Sequence, residues 1–478
     1  MQKRSRAPRG RGRLLSTLAL SWLPVAGLAK APTPAAKEPG PAAEKAAQAM
    51  PTPTLPAEKF VLPENGLEVI LSPDHALPLV AVNVWYHVGP ANEPAHRTGF
   101  AHLFEHLMFQ GSAHVGDDQH FKLLESRGAS LINGTTSFDR TNYFETVPAN
   151  ELELALWLES DRMGFLAASI NPVSLENQRQ VVMNERRWRV DNSPYGPTQE
   201  KLIQTLLPPT HPYYGNVIGS MADLDKATVQ DVKRFYEQYY APSNATIAIS
   251  GDFSPSEAKA LLTRYFAGLP KRPKPAAVAV KAPVIDKRRR ATVKEKVELA
   301  QLNKAWLSPK AFAAGDAEAD LLAEILGQGE ASRLHRRLVY ELGLAQDVSV
   351  DQQSYQLLGM FTITVTARPG ASLARIEREV DQAIALSRKA PPTAAELSRA
   401  KNQIRLALVH RLQTLGGFGG KADLLNRYNH YLGTPDGLKQ DLDRYARVTP
   451  AAVQAFAKSH LDAQAQVVVS TLPEASSP

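Results

Sequence analysis

Residues 98 to 111 read Thr-Gly-Phe-Ala-His-Leu-Phe-Glu-His-Leu-Met-Phe-Gln-Gly, a mostly apolar stretch that contains two histidines and one glutamate. Thr98 can cap the first amide groups of a helix, and Gly111 can end a helix in a left-handed conformation. No helix-breaking residue lies between Phe100 and Gln110. The stretch therefore predicts one short helix, and the rest of the chain is best understood from it.

The three polar residues of this helix have the spacing of a metal site. His102 and His106 are four residues apart, so one helical turn places both imidazoles on the same face, where they can reach one ion. Glu105 projects beside them and is better placed to act on water than to serve as a third ligand. The alternative is a chance grouping on an ordinary amphipathic helix, which would leave three polar groups among apolar neighbours.

Composition limits the kind of metal site. The chain of 478 residues has no cysteine, which excludes disulfides, thiol catalysis and thiolate ligands. Any metal must therefore be held by histidine and carboxylate groups, and the predicted helix offers both.

The amino terminus predicts export. Residues 1–13 carry six basic residues and no acidic one, and an apolar run follows to Ala29. We interpret 1–29 as a signal peptide that is cleaved before Lys30, which makes the protein periplasmic or extracellular; a retained signal anchor is the alternative. The apolar run is too short for a stable membrane span. Because those six residues account for most of the formal charge of +7, the charge is no evidence for a nucleic-acid partner.

The order of the predicted elements indicates the fold class. The segment 60–71 predicts a hairpin, 80–88 a strand, and 129–147 two strands around a turn, with amphipathic helices between and after them. This irregular alternation favours an α+β fold with layered, mostly antiparallel sheet over a doubly wound parallel sheet. The glycine-rich break at 416–420 predicts a flexible hinge between two helices.

A second candidate ligand lies on the helix predicted for residues 174–190. Glu185 follows Val181, Val182 and Met183, and an isolated carboxylate on an apolar side needs a cation. Taken alone, this pattern favours a salt bridge over a metal, because arginines occupy positions 186, 187 and 189.

The combined motifs resemble a known family. HLFEH, followed 79 residues after His106 by the glutamate of NQRQVVMNER, is similar to the zinc site of the pitrilysin/insulinase metallopeptidases, the inverzincins, in which the order of HExxH is reversed. The segments LMFQGS, NGTTSFDRTNYFETVP, LWLESDRM, HPYYG and FYEQYYAPSNATIAISGD also resemble that family. The resemblance extends from about residue 58 to about residue 470.

The resemblance implies a role for each site residue. His102, His106 and Glu185 would be the ligands of Zn²⁺, and Glu105 the general base. The implied function is a zinc-dependent endopeptidase that hydrolyses extended or unfolded peptides through metal-activated water. The alternative is a non-catalytic or weakly active subunit of the same fold that acts in peptide binding or within a protein complex. Gln178 departs from the family, which often has a glutamate there.

The peptide substrate is predicted to bind as an added strand along residues 129–136. Asn133, Gly134 and Thr135 would lie at the edge nearest the zinc, because a glycine lets another backbone approach closely.

The family also implies two homologous αβ halves that form a clam-like chamber. The second half has no HxxEH sequence and is not expected to bind zinc. The expected organisation is a signal peptide (1–29), a disordered leader (30–57), a zinc-binding catalytic domain (58–270), a linker (271–290), a second homologous domain (291–473) and a tail (474–478).

The resemblance finally points to a partner. Family members that act alone have, in the second half, an arginine and seven residues later a tyrosine, within a sequence like R-E-K-x-G-L-A-Y. Val339 and Gln346 stand at those places here. A second family polypeptide that supplies both residues is therefore predicted, as a heterodimer, and a homodimer is the alternative.

Overall fold

The computed structural model describes residues 53–474. The predicted signal peptide, most of the predicted leader and residues 475–478 lie outside the described part of the chain. Across residues 53–474, no helix combines the length and the apolar composition needed to cross a membrane.

The first half is built on a six-stranded sheet with the strand order β1-β2-β6-β3-β5-β4. All neighbouring pairs are antiparallel except β2 with β6. The predicted hairpin is β1 with β2, and the two strands predicted within 129–147 are β4 and β5. The strands are β1 Glu58–Val61, β2 Glu68–Pro73, β3 Leu79–Tyr86, β4 Ser130–Ser137, β5 Arg140–Pro148 and β6 Ala245–Gly251.

Helices cover one face of this sheet because alternate strand residues are apolar and need burial. The helices of this half are α1 Phe100–Leu107, α2 Gln119–Ser126, α3 Leu152–Phe165, α4 Pro172–Arg186, α5 Gly196–Leu206, α6 Met221–Asp225, α7 Val229–Tyr239 and α8 Pro255–Phe266. A short π-helical segment, Arg187–Asp191, follows α4 directly.

The second half has a five-stranded sheet in the order β7-β11-β8-β10-β9, which repeats the order β2-β6-β3-β5-β4. The one parallel pair, β7 with β11, corresponds to β2 with β6. Its strands are β7 Arg289–Glu295, β8 Gln301–Ser308, β9 Ala345–Ser354, β10 Gly359–Ala367 and β11 Val467–Pro473. Its helices are α9 Asp316–Gly327, α10 Leu373–Lys389, α11 Ala394–Arg411, α12 Lys421–Leu432, α13 Leu438–Arg447 and α14 Pro450–His460, together with a short turn of helix, Arg333–His335, that continues as the π-helical segment Arg336–Glu341.

The helix after β3 and the helix after β8 begin in the same way. Gly99 precedes α1 with φ 89°, and Gly315 precedes α9 with φ 92°, a left-handed conformation that suits glycine. When these glycines are aligned, Glu318, Leu321 and Leu322 occupy the positions of His102, Glu105 and His106. The two halves are therefore homologous in architecture, while the second has lost the metal-binding side chains.

One helix of each half packs on the sheet of the other half. Helix α5 packs on the second sheet through Leu202 and Leu206, which contact a cluster that includes Met360 and Val469. Helix α12 packs on the first sheet, where Leu425 belongs to a cluster with residues of β2, β3 and β6. This exchange buries apolar surface between the halves, so they are expected to fold as one unit.

The α+β prediction with two homologous halves is confirmed by this architecture. The segment between Phe266 and Arg289 has no helix or strand, but the domain boundaries placed there stay a prediction. Leu55 is buried in the cluster with α12, and Ser72 Oγ donates to the carbonyl of Pro56. The packed part of the chain therefore begins before residue 58.

Candidate metal centre

The amino-terminal end of helix α1 is capped by the side chain of a residue that precedes it by several positions in the sequence. The backbone N–H groups of Gly99 and Ala101 each donate to the carboxylate of Glu93 at 2.9 Å. The prediction that Thr98 caps this helix is wrong, because Thr98 precedes the left-handed Gly99 and its hydroxyl donates to Asp223 at 2.6 Å. The helix also ends at Leu107, one turn before Gly111.

Three side chains from two helices converge beside α1. The Nε2 atoms of His102 and His106 lie 3.2 Å and 3.0 Å from the same oxygen of Glu185, Oε2. The histidines come from α1, while Glu185 comes from the last turn of α4, which packs against α1. One ligand atom from each residue lies within 4.8 Å of the others. The predicted ligand set is thus brought together by the fold.

The second oxygen of Glu185 faces a different group. Arg189 Nε lies 3.1 Å from Glu185 Oε1, four residues further along the chain in the π-helical segment. The two interpretations of Glu185 from the sequence therefore do not compete, since one oxygen faces the histidines and the other an arginine. The i, i+4 spacing was the signal that identifies Arg189 among its neighbouring arginines.

Glu105 is held beside the cluster by contacts of its own. Its Oε2 accepts a hydrogen bond of 2.6 Å from Thr136 Oγ1 and lies 3.3 Å from His102 Nδ1. Thr136 belongs to β4, which contacts α1. Glu105 is thus outside the group of three that faces Glu185 Oε2, as the sequence predicts for a base.

The charges of the cluster stabilise one another. Burial by itself opposes a charge on His102, but the carboxylates of Glu105 and Glu185 outweigh it and raise the pKa of His102 to about 9. Burial likewise opposes the charges on Glu105 and Glu185, and contacts with the imidazoles hold the pKa of each carboxyl below its ordinary value. A metal ion that binds these ligands must therefore displace a proton.

The predicted substrate residues alternate between the two faces of β4. Gly134 faces α1, and a Cβ built on it would lie 2.8 Å from Glu105 Cγ. Thr135 points to the other face, where its hydroxyl contacts Asn142 and Arg140. The side-chain oxygen of Asn133 accepts the N–H of Gly134 at 2.8 Å. Thr136 was not among the predicted residues, although the period of two along a strand places it on the same face as Gly134.

A second group of potential ligands lies in the core of the first half. His120, Glu145 and Glu159 are all buried and also have ligand atoms within 4.8 Å of one another. Arg162 occupies this place, because its guanidinium donates to both oxygens of Glu159 and lies 3.9 Å from Glu145. Burial and the charge of Glu159 raise the pKa of Glu145 well above its usual range. The ion pair between Arg162 and Glu159 accounts for this cluster without a metal.

The first cluster fits a divalent metal. Two imidazole nitrogens and one carboxylate oxygen point to one position, a donor set that holds zinc and leaves a coordination place for a further ligand. Among residues 53–474, the second half contains no comparable group of three ligands.

Comparison with known proteins places these residues in a family. Residues 68–207 match the model described as insulinase (peptidase family M16), and residues 226–404 match the model described as peptidase M16 inactive domain. The zinc protease PqqE of Helicobacter pylori is 31% identical over 395 residues, which cover 81% of this chain and 88% of that protein. The chain belongs to the M16 peptidase family. All of the candidate ligands and Glu105 lie in the part that matches the insulinase model.

Solved structures of M16 proteins have the same fold. A protease from Helicobacter pylori superposes with a TM-score of 0.82 at 27% sequence identity, covering 88% of this chain and 100% of that chain. The periplasmic protease PqqL from Escherichia coli gives a TM-score of 0.71 at 18% identity over 88% of this chain and 48% of that chain, a likeness of fold alone.

Proposed function

We propose that this M16 chain is a zinc-dependent endopeptidase that hydrolyses extended or unfolded peptides. The proposal rests on one observation. The side chains of His102, His106 and Glu185 converge on one position. Glu105 lies beside them and is oriented by a separate hydrogen bond from Thr136. A peptidase of this kind needs a metal ligand set and a separate base, and both are present.

The residues divide the chemistry between them. His102, His106 and Glu185 would hold Zn²⁺, which supplies Lewis acidity for the scissile carbonyl and lowers the pKa of a water molecule. The Glu105 carboxylate takes the proton of the attacking water and delivers it to the nitrogen of the leaving amine. The hydrogen bond from Thr136 holds the carboxylate in place, and the side chain of Glu105 is only 15% exposed to solvent.

The free edge of β4 is the proposed place for the substrate backbone. In the described residues β4 is the terminal strand of the first sheet, so one side has no strand beside it. Gly134 lies on this strand next to Glu105, and the missing Cβ lets the Glu105 side chain lie directly against the strand. Pairing through main-chain atoms accepts many sequences but requires an extended peptide.

The second candidate is a subunit that binds peptides without cutting them. The description of the model that matches residues 226–404 as an inactive domain favours this possibility for the second half. It does not extend to residues 68–207, where all four groups needed for hydrolysis are kept. A subunit that had lost catalysis would have no need of them.

The deciding experiment compares two variants of the purified chain on a library of unstructured peptides. We expect Glu105→Gln to lose peptide hydrolysis by at least about 10²-fold while still binding one zinc, because the amide cannot take a proton. We expect His102→Ala to lose the metal as well. Near wild-type turnover of Glu105→Gln, in the presence of any second subunit that the wild type requires, would refute the role of Glu105.

We infer that the protein is exported and works in the periplasm or outside the cell. The basic and apolar order of residues 1–29 supports this proposal, and a protein with the same fold, PqqL, is described as periplasmic. A second family polypeptide is the proposed partner, because Val339 and Gln346 stand where family members that act alone have arginine and tyrosine.

A further inference from the structure

A glycine-rich loop from the second half lies against the first sheet. The loop, which we call the glycine loop, comprises residues 416–420, Gly-Gly-Phe-Gly-Gly, between α11 and α12. A Cβ built on Gly416 would lie 2.1 Å from Thr146 Oγ1 and 2.9 Å from Ala81 Cβ. Only a glycine permits this approach, so the loop is packed on strands β3 and β5.

Polar contacts hold the end of the glycine loop that leads into α12. The N–H of Gly419 donates to Asp423 at 2.9 Å, and the same carboxylate accepts the indole N–H of Trp85 on β3 at 2.9 Å. Lys421 forms an ion pair with Asp74 of the first half. These contacts fix the loop to the first sheet, which contradicts the hinge predicted from its glycines.

Two large apolar side chains are exposed where the glycine loop meets β4. Phe418 is 66% exposed and Leu131 is 53% exposed. A Cβ built on Gly417 would lie 3.4 Å from Leu131 Cδ1, so the loop passes close to Leu131. Leu131 has φ 54° at a β-bulge, where the register of β4 with β5 shifts between Ser130 and Asn133. A β-branched or bulky residue rarely adopts this conformation, because it raises the conformational free energy of the backbone. A leucine is therefore an unfavourable residue for this solvent-exposed position.

The ring of Phe418 is also placed by a buried cation. The guanidinium carbon of Arg140 lies 5.4 Å from the Phe418 ring and 5.0 Å from the Trp85 ring, which is within the range of a cation–π contact. The same guanidinium donates to the carbonyl of Thr135 at 2.7 Å. The Phe418 ring is thus fixed beside β4, on the face to which Thr135 points.

Leu131 and Phe418 lie where a side chain of a peptide paired with β4 would be expected. Leu131 lies three residues from Gly134 and five residues from Thr136, the two residues that contact Glu105. At a rise of about 3.3 Å per residue, the pair is about 10 to 17 Å from the catalytic group along the strand. Side chains of an added strand alternate between faces, so every second one would point to the face of Thr135 and Phe418.

We propose that Leu131 and Phe418 form a subsite for an apolar side chain of the substrate, three to five residues from the bond that is cut. The proposal rests on the proposed peptidase function and adds a preference to it. The occupant is an extended peptide and not a second copy of the chain, because the pair is continuous with the free edge of β4 that leads to Glu105. The favourable free energy of binding would come from removing apolar surface of both the peptide and the subsite from water.

The test uses two readouts, one of which does not depend on cleavage. A polar ten-residue peptide with a fluorescent label is made with leucine or serine at each position in turn. Equilibrium binding by fluorescence anisotropy and the rate of cleavage are measured for the wild type, Phe418→Ala and Leu131→Ala. Leu386→Ala is the matched control, since Leu386 is an exposed leucine on α10, at 61%. Each protein is the mature chain with its partner, if the wild type requires one.

We expect one position in the window to favour leucine over serine by about 5- to 10-fold in the wild type, and Phe418→Ala to bring this ratio close to one. The control should keep the wild-type ratio. Leucine-dependent binding without cleavage would support the subsite while refuting the peptidase. Cleavage without any leucine preference, or with an unchanged preference in both variants, would overturn the subsite and leave the peptidase standing. A change of oligomeric state in Phe418→Ala without a change of the ratio, or no peptide binding at all, would also overturn it.

Discussion

Thr136 donates a hydrogen bond of 2.6 Å to the carboxylate oxygen of Glu105 that lies nearest His102. The bond joins β4, the proposed substrate strand, to the proposed catalytic base on α1. Because the two elements come from separate parts of the chain, the geometry of this base depends on the packing of β4 against α1. Thr136 is therefore a positioning residue and does not itself contact the ligand set.

Replacement of the Thr136 hydroxyl should lower catalysis and spare the metal. We expect Thr136→Val, which keeps the shape and removes the donor, to reduce kcat by about 10- to 100-fold, the usual cost of losing a contact that orients a site residue. Thr136→Ser keeps the donor and should recover most of the activity. Zinc content by atomic absorption should stay near that of the wild type in both variants. Equal loss of kcat in the serine and valine variants would show that the hydroxyl has no role.

Glu185, and not Glu176, should be required for zinc. Both glutamates lie on α4, but Glu185 faces the two histidines, whereas Glu176 is about half exposed and contacts Arg179 and Gln180. Glu185→Ala should lose bound zinc after dialysis against a weak chelator, because it removes one of three ligands. Glu176→Ala is the matched control and should retain zinc. The reverse pattern would mean that the ligand set is wrongly assigned.

Part of the arrangement at the candidate site follows from local rules that can be applied to the sequence alone. Two histidines four residues apart on a helix must share a face, so His102 and His106 needed no structure. Glu185 needed the family resemblance, since its own neighbours favoured a salt bridge. Thr136 and Glu93 were not predicted because each acts through a tertiary contact. Thr136 contacts Glu105, which is distant in sequence, and Glu93 reaches the start of α1 because the loop between them folds back.

The sequence predicted the type of most elements but not how the halves exchange them. The order of strands and helices followed from periodicity. Periodicity cannot say which sheet an amphipathic helix covers, and so the packing of α5 on the second sheet and α12 on the first was not foreseen. The glycine loop shows the same limit, since its glycines serve close packing on Thr146 and Ala81 and not flexibility.

A pair of histidines between the halves should make the protein sensitive to acid. His87 Nδ1 lies 2.8 Å from His430 Nδ1, and the rings are stacked with centroids 5.0 Å apart. Burial, with further effects of Lys274 and Lys59, lowers the pKa of His87 to about 3; burial and the charge of His87 lower the pKa of His430 well below its ordinary value. Both rings are therefore neutral in the folded protein at pH 7.

The sign of the effect follows from these shifts. Below pH 6.5 the unfolded chain takes up protons on both histidines, whereas burial opposes this uptake in the folded chain. The stability that the neutral pair contributes is therefore present above pH 6.5 and is lost as the pH falls, and for His87 this loss continues toward pH 3. Each such group lowers the free energy of unfolding by about 1.4 kcal/mol per pH unit in this window.

Urea unfolding from pH 7.5 to 4.5 tests this pair. We expect His430→Gln, which cannot titrate, to unfold with a pH slope shallower than that of the wild type by up to about one proton equivalent. Glu93 and Asp320, whose pKa values are raised to about 7 by burial, act in the opposite direction but are common to both proteins and cancel in the difference. Equal slopes in the two proteins would contradict the prediction.

The chain lacks, at the expected places in its second half, the two groups that would stabilise a developing oxyanion. At the places where family members that act alone have arginine and tyrosine, this chain has Val339, which is half-buried against the second core, and Gln346, which is exposed on β9. Two nearby arginines are already paired, since Arg336 contacts Glu341 at 3.3 Å and Arg337 contacts Glu379 at 3.0 Å. Tyr340 is 59% exposed and is the remaining local candidate.

We expect a zinc-less homologue that keeps both the arginine and the tyrosine to raise peptide hydrolysis by this chain by about 10²- to 10³-fold, the usual worth of one oxyanion donor. Activity and size are measured together, by peptide cleavage and light scattering, for the chain alone and for the mixture. The matched control is the same homologue with both residues changed, Arg→Ala and Tyr→Phe, which should assemble without activating. Full activity of the chain alone, lost in Tyr340→Phe and unchanged by the homologue, would refute the heterodimer and assign the missing donor to this sequence.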